Sequence, residues 1–235
     1  MSESTEGKTS AGVRVPMSDV VRFVGQLSHD LRNNLNAVEL QSAFLNEVAE
    51  DAEVKGEVQR LRAMLSTMGS SLQRLTSLLA TIKLTEMPYK AADFVEDLQS
   101  KIAAQFPEQS ASIAWSVNVG DVSLLIDPQN LQQALLELFA NAFAHLRNPG
   151  EIVATATVAD GNFTFTMQEP KKDFAGSTED WGREPFKQVA HGHYGLGLYR
   201  TRAIIEAHHG SFSVRHDPAA SSLVLTVVLP VAAHA

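Results

Sequence analysis

The chain has 235 residues, enough for one large domain or two small ones, and 44% are hydrophobic, adequate for a packed core. A formal charge of −8 argues against unspecific binding to nucleic acid or to an anionic membrane surface. Cysteine is absent, which excludes disulfides and thiolate metal sites and leads to an expected cytoplasmic location; no run approaches the roughly 18 apolar residues of a membrane span.

Residues 1–16, "MSESTEGKTSAGVRVP", contain no apolar segment, so they read as a disordered tail rather than a signal peptide. From Met17 to about Glu50 there is no proline. Val24, Ser28, Leu31, Leu35, Val38, Ser42 and Leu45 follow one another at spacings of 4, 3, 4, 3, 4 and 3, a heptad seam with two small polar members. After the charged break "AEDAEVKGE", Leu61, Leu65, Met68, Leu72, Leu75, Leu79 and Ile82 repeat the alternation. Two helices of about 30 residues with a short turn make a helical hairpin over 17–87. One narrow stripe cannot be buried within a single hairpin, so two copies are expected to pair as a four-helix bundle in a homodimer. The alternative is that both helices pack onto the rest of the same chain.

Pro88 in "TEMPYKAADF" breaks this pattern and marks the expected boundary of a second domain, 88–235. "ASIAWSVNV" and "VSLLID" read as strands, and "PQNLQQALLELFANAFAHL" as a helix with proline in its first turn. "EIVATATVADGNFTFTMQE" alternates about Asp160–Gly161, a hairpin signal. "YGLGLYRTRAIIEAHHG" is a helix entered through glycines and ended by Gly210, and a second hairpin follows. The fold class is α+β: a helical hairpin followed by a two-layer α/β sandwich.

Three stretches could carry chemistry. His29 sits beside Asp30 and just outside the seam, with Asn33 at i+4 on the same face. A neutral imidazole is a competent nucleophile, and an adjacent carboxylate can hold one ring nitrogen and direct the other outward. Glu137 and Asn141 are also i, i+4, and a carboxylate with an amide oxygen can hold a hydrated Mg²⁺ and its phosphates. Gly195 and Gly197, flanking Leu196, mark a loop-to-helix junction whose bare N–H groups suit phosphate. His191 with His193, and His208 with His209, lack the acidic or thiolate partners that would complete a metal site; positive character near a helix end accounts for the second pair.

In this order the three stretches resemble the core of a sensor histidine kinase. "SHDLRNNL" looks like the H box, "LLELFANA" like the N box, and "REPFKQVAHGHYGLGL" like the F box, lid and second glycine box. The resemblance covers about residues 17–232 and implies a Bergerat ATP-binding fold in the second half. It implies His29 as phosphoacceptor, Asp30 as its acid–base partner and Asn33 as the residue placing water for dephosphorylation of the partner regulator. Glu137 and Asn141 would engage Mg²⁺, Gly195, Leu196 and Gly197 would lie along the triphosphate of ATP, and Phe186 matches the F-box aromatic.

The sequence departs from the family pattern around one pocket. Glu169 stands where the adenine-binding aspartate belongs, and Pro170, Lys171, Lys172 and Asp173 replace a glycine turn. His193 and Tyr194 alter the second glycine box, Ala144 replaces a frequent lysine, and Asn34 replaces the H-box proline, which implies a straighter helix. These losses imply weak or absent ATP binding. Three functions follow. One is a soluble kinase that phosphorylates His29 from ATP and passes the group to a response-regulator receiver domain. The others are an ATP-independent dimeric phosphotransferase in a phosphorelay and a non-catalytic pseudokinase scaffold. In each, sensory input would come from a separate protein, with no nucleic-acid or membrane partner.

Overall fold

The computed structural model describes residues 15–145, 150–172, 174, 177–186 and 195–232. The expected tail, apart from Val15 and Pro16, lies outside these residues, as do Asp173 and the stretch holding His191, His193 and Tyr194. The chain divides into two compact units, Met1–Ala80 and Thr81–Ala235.

The first unit is a hairpin of α1 (Met17–Val48) and α2 (Ala52–Leu79). The break is shorter than the sequence suggests, because Asp51 starts the second helix at once: its side chain accepts the Glu53 N–H at 2.7 Å. The second helix stops at Leu79, with Ala80 extended, so Ile82 lies beyond it. The first runs unbroken through Asn34, where a proline would have removed a hydrogen bond.

The heptad seam separates into two series. Ser28 and Ser42 are buried and Leu35 half-buried, as are Val58 and Leu79 (buried) and Leu65 and Leu72 (half-buried); these residues zip the two helices together. The interleaved residues Leu31, Val38, Leu45, Leu61 and Met68 remain 37–55% exposed. Small serines at the buried positions allow the helices to approach, and the Ser42 hydroxyl donates to Val38 O at 2.7 Å, so it needs no partner across the seam. Arg62 bridges to Glu39 at 2.7 Å, and Arg32 donates to Gln73 at 2.6 Å.

The second unit contains β1 (Met87–Lys90), α3 (Ala91–Gln105), β2 (Ile113–Asn118), β3 (Ser123–Ile126), α4 (Pro128–His145), β4 (Ile152–Ala159), β5 (Asn162–Pro170), α5 (Gly197–Ala207), β6 (Ser211–Asp217) and β7 (Ser222–Pro230). Five strands form one sheet in the order β2-β4-β5-β7-β6. β2 runs parallel to β4 and the other neighbours are antiparallel. β1 and β3 form a separate antiparallel pair.

The sequence reading missed β1 and α3. Pro88 does not end a domain: it lies in β1 opposite Leu125, so the second unit begins before it. A proline is tolerated there because β1 is an edge strand, paired on one side only with β3. The "VSLLID" strand belongs to that ribbon rather than to the main sheet. Gly210 is not the left-handed residue that ends α5. His209 takes that conformation (φ 60°), while Gly210 is needed for space, since a Cβ there would lie 2.6 Å from Val228 O and from Leu229 Cδ2.

The core is formed by the inward residues of the sheet, Phe163, Phe165, Met167, Leu225 and Val227, with Phe94, Leu98 and Ile102 from α3 and Leu135 and Phe139 from α4. Phe94 meets Phe163 edge to face with ring centres 6.3 Å apart, and Phe139 meets Phe165 at 6.2 Å. On the opposite face, Ser116, Thr155, Thr166, Thr226 and Ser213 stand in register, one hydroxyl from each strand. Asp160 (φ 50°) and Gly161 (φ 73°) form the two-residue turn between β4 and β5.

Candidate functional site

His29 lies on α1 directly after the buried Ser28, and its side chain is 68% exposed. Its Nδ1 is 3.2 Å from Asp30 Oδ1 and 3.4 Å from Asn33 Nδ2. These contacts need different tautomers: Nδ1 must carry the proton to donate to Asp30 and must be bare to accept from Asn33. The shorter, charge-assisted contact favours a protonated Nδ1 and leaves the Nε2 lone pair directed away from Asp30. Gln26 donates to the same Asp30 oxygen at 2.9 Å and restrains the carboxylate.

In the second unit, α4 is set in place by Asp127. Its carboxylate accepts from Asn130 N–H at 3.0 Å, Asn130 Nδ2 at 2.8 Å and Thr85 N–H at 2.9 Å. Burial pushes this carboxyl up, but the hydrogen bonds from Asn130, Thr85 and Gln129 together outweigh it and hold the group below its ordinary value. The Asp127 N–H donates to Nε2 of buried His208 at 3.0 Å, and His208 Nδ1 lies 2.7 Å from Ile204 O. An imidazole that accepts at Nε2 and donates at Nδ1 is neutral, so His208 ties the end of α5 to the start of α4 and adds no positive charge to the helix end. Among the described residues no cluster of His, Asp and Glu suits a metal ion.

Glu137 and Asn141 lie one turn apart on α4, both half-buried. α5 packs against α4 through the Thr201 hydroxyl, 3.3 Å from Ala134 O. Its first residue is Gly197, preceded by Gly195 at φ 63°. A Cβ on Gly197 would lie 2.1 Å from Glu137 Oε1, so only glycine admits the carboxylate at this helix start. Asn141 Nδ2 is buried with no hydrogen-bond partner among the described residues. A donor left this way costs about 1–3 kcal/mol unless a ligand accepts from it. Its chemistry suits a phosphate oxygen, while Asn141 Oδ1 and the Glu137 carboxylate suit Mg²⁺.

Glu169 ends the inward row of β5 and is buried. Its Oε1 is 3.6 Å from Lys171 Nζ. Pro170 is the last residue of the strand, paired to Ser222, and the Lys171 N–H still donates to Ser221 O at 2.7 Å. Of the residues in the glycine-turn position, Pro170 belongs to β5, and Lys171 and Lys172 follow its end.

Sequence reasoning missed a clamp beside α5. Arg202 donates from Nε and Nη2 to Trp181 O at 3.1 and 2.9 Å, and its guanidinium lies 5.1 Å from the centre of the Phe212 ring. Gly182 follows at φ 72°, where a Cβ would lie 2.5 Å from Leu198 O. Phe186, also at positive φ (63°), donates its N–H to Gly195 O at 3.1 Å. Gly182 in "DWGRE" was the available signal; the partner, Arg202, is 20 positions away in sequence.

Residues 126–233 match the family described as histidine kinase-, DNA gyrase B- and HSP90-like ATPases. The sensor histidine kinase ZraS of Escherichia coli (strain K12) is 24% identical over 209 residues, 87% of this chain and 44% of the relative. An uncharacterized sensor-like histidine kinase, R01002, of Rhizobium meliloti (strain 1021) is 23% identical over 226 residues, 88% of this chain and 42% of the relative. The chain thus spans less than half the length of either curated relative. Full-length ShkA, solved in complex with AMPPNP, is similar in fold with a TM-score of 0.70 at 23% identity, over 91% of this chain and 46% of that one. The histidine kinase AdeS of Acinetobacter baumannii matches with a TM-score of 0.52 at 18% identity, over 86% of this chain and 97% of that one. The matched segment begins at the end of β3 and takes in α4, α5 and four of the five strands of the main sheet. Residues 126–233, most of the second unit, thus match the histidine kinase-type ATPase family, and the chain is similar in fold to a histidine kinase core.

Proposed function

We propose that this chain is a two-component histidine kinase that phosphorylates His29 from ATP and passes the group to an aspartate of a response-regulator receiver domain. The observation that carries this reading is the His29–Asp30 pair: an exposed imidazole, held at Nδ1 by a carboxylate at 3.2 Å, in a chain whose other half is an ATPase domain. The Nε2 lone pair attacks the γ-phosphorus, the bond from phosphorus to the bridging oxygen breaks, and ADP leaves with those electrons. The imidazolium that forms is stabilised through its Nδ1 proton by Asp30. Asn141 Nδ2 donates to a phosphate oxygen, and the glycines at the head of α5 admit the triphosphate to its backbone N–H groups. Mg²⁺ held by Glu137 and Asn141 would neutralise phosphate charge, which is most of what such a reaction needs from its protein. Asn33, on the same face as His29, would place water for removal of the phosphoryl group from the regulator.

The exposed series Leu31, Val38, Leu45, Leu61 and Met68 supports a homodimer in which two hairpins bury these residues as a four-helix bundle. No described helix is long and apolar enough to cross a membrane. A cytoplasmic location belongs to this reading. A second reading, in which His29 is loaded without ATP by another phosphorylated protein, draws on Pro170 at the end of β5 and the Glu169–Lys171 pair where a glycine turn would leave space.

Incubation of the whole chain with Mg²⁺ and γ-labelled ATP separates the two. Acid-labile label on wild type and none on His29→Gln is expected. A chain that binds ATP with no measurable heat and takes up no label from it, yet accepts label from a phosphorylated receiver domain, would replace the kinase with the phosphotransferase.

A further inference from the structure

We propose that Arg32, held by Gln73 across the hairpin, binds the phosphoryl group that His29 carries. This inference rests on the reading of His29 as the phosphoacceptor above. Arg32 follows His29 by three residues on α1, so the two side chains are neighbours on the helix surface, with Cβ atoms about 5–6 Å apart. Its Nη2 donates to Gln73 Oε1 on α2 at 2.6 Å. Other arginines of the hairpin meet carboxylates: Arg22 lies 3.2 Å from Asp19, Arg62 lies 2.7 Å from Glu39, and Arg60 pairs with Glu57. Arg32 is held by a neutral amide, and among the described residues it forms no ion pair.

Anchoring alone would favour a glutamate opposite Arg32, because a carboxylate holds a guanidinium about twice as strongly as an amide does. Glutamine fixes the side chain and leaves its charge for another anion. The guanidinium has five N–H donors and Gln73 takes one, so the planar fork keeps donors for phosphoryl oxygens. His29 is where such an anion arises. Its Nε2 is directed away from Asp30, and a phosphoryl group there brings nearly two negative charges close to a carboxylate that lies 3.2 Å from Nδ1. Arg32 offsets that repulsion. The same charge stabilises the group during transfer, when negative charge is spread over its three outer oxygens.

The measurement is the rate at which the whole chain takes a phosphoryl group on His29 from phosphoramidate, a donor that needs no nucleotide site, followed by ³¹P NMR against His29→Gln. Nε2 forms its bond to phosphorus as the bond to the donor's ammonium nitrogen breaks, and ammonia leaves with that electron pair. Arg32→Met is expected to slow loading roughly tenfold, the loss of one charge-assisted contact. Gln73→Glu separates this role from that of a structural tie. It should hold the hairpin at least as firmly, with Tm not lowered, and still slow loading roughly three- to tenfold, because the carboxylate neutralises Arg32. Loading of Arg32→Met within about twofold of wild type overturns the inference, as does loading of Gln73→Glu at the wild-type rate. Loading from phosphoramidate with the expected dependence on both residues, but no label from ATP, would remove the kinase reading and leave the inference standing. A His29 that takes the group from neither donor overturns both.

Discussion

The two units bury apolar surface in opposite ways. The second closes a core over its own sheet, with Phe94, Phe139, Phe163 and Phe165 almost wholly covered. The first covers one of its two heptad series and leaves most of the other, Leu31, Val38, Leu45, Leu61 and Met68, to solvent. The core of the second unit lies within one chain, whereas the uncovered residues of the hairpin are the surface that the proposed homodimer would bury. The chemistry divides along the same line. His29, the proposed phosphoacceptor, stands on the unit with the uncovered series, and Glu137 and Asn141, proposed to serve ATP and Mg²⁺, stand on the other.

The largest effect should fall on the nucleophile. His29→Gln is expected to abolish labelling from ATP while calorimetric ATP binding by the second unit is unchanged; a variant that still labels would move the phosphoacceptor elsewhere. Gly197→Ala comes next and tests the second unit from within. The atom its Cβ meets is the tip of Glu137, a flexible side chain, so the fold should survive while the carboxylate is displaced. Labelling should fall at least about tenfold, the loss of one charge-assisted contact, with little change in Tm. Gly182→Ala is the contrast: it meets the backbone of Leu198 and should lower Tm.

Leu31→Glu with Val38→Glu sharpens the difference between the units. The wild-type chain should unfold in two steps, the hairpin with a Tm that rises with protein concentration and the sandwich with one that does not. The double variant should sediment as a monomer, with the sandwich step unmoved. A concentration-independent first step in wild type would return both helices to packing within one chain. His208→Ala should affect only the sandwich, by about 2 kcal/mol in denaturant unfolding, because the buried Asp127 N–H loses its acceptor. Asp127 gives the smallest effect. Its folded value lies below its unfolded one, so its contribution is fully present above about pH 4 and drains away as pH falls through the lowered value. Asp127→Asn should therefore flatten the acid side of the stability–pH curve of the sandwich.

Much of this was legible in local pattern. The 4-3 alternation marks both helices of the hairpin, and the i, i+4 spacing puts Glu137 and Asn141 on one face of α4. The periodicity could not show that the seam divides into a covered and an uncovered series, since Ser28 and Leu31 look equally placed until the second helix is docked. α3 was readable and was missed: Phe94, Val95, Leu98 and Ile102 have helical spacing, but Pro88 drew attention to the break before them. The Arg202–Trp181 clamp and the His208–Asp127 joint link residues distant in sequence, and no local pattern encodes them. Lys171 was visible only as one of two lysines in a turn. Its approach to Glu169 depends on the pairing of β5 with β7 up to Pro170 and on the Lys171 N–H bond to Ser221 O, which join residues about 50 positions apart.

The row of hydroxyls across the outer face of the sheet bears on how the strands find their frame. Thr155 and Thr157 of β4 face Thr166 and Thr164 of β5, so a slip by two residues would exchange one threonine for another and go undetected on that side. A slip by one residue would turn the phenylalanines outward and is excluded by burial. The burden of rejecting the two-residue error therefore falls on the Asp160–Gly161 turn, whose two left-handed residues permit one loop length only. That turn acts as the proofreading element of the sheet, and an extra residue inserted there would leave the composition of both faces intact while making two alignments nearly equal in energy.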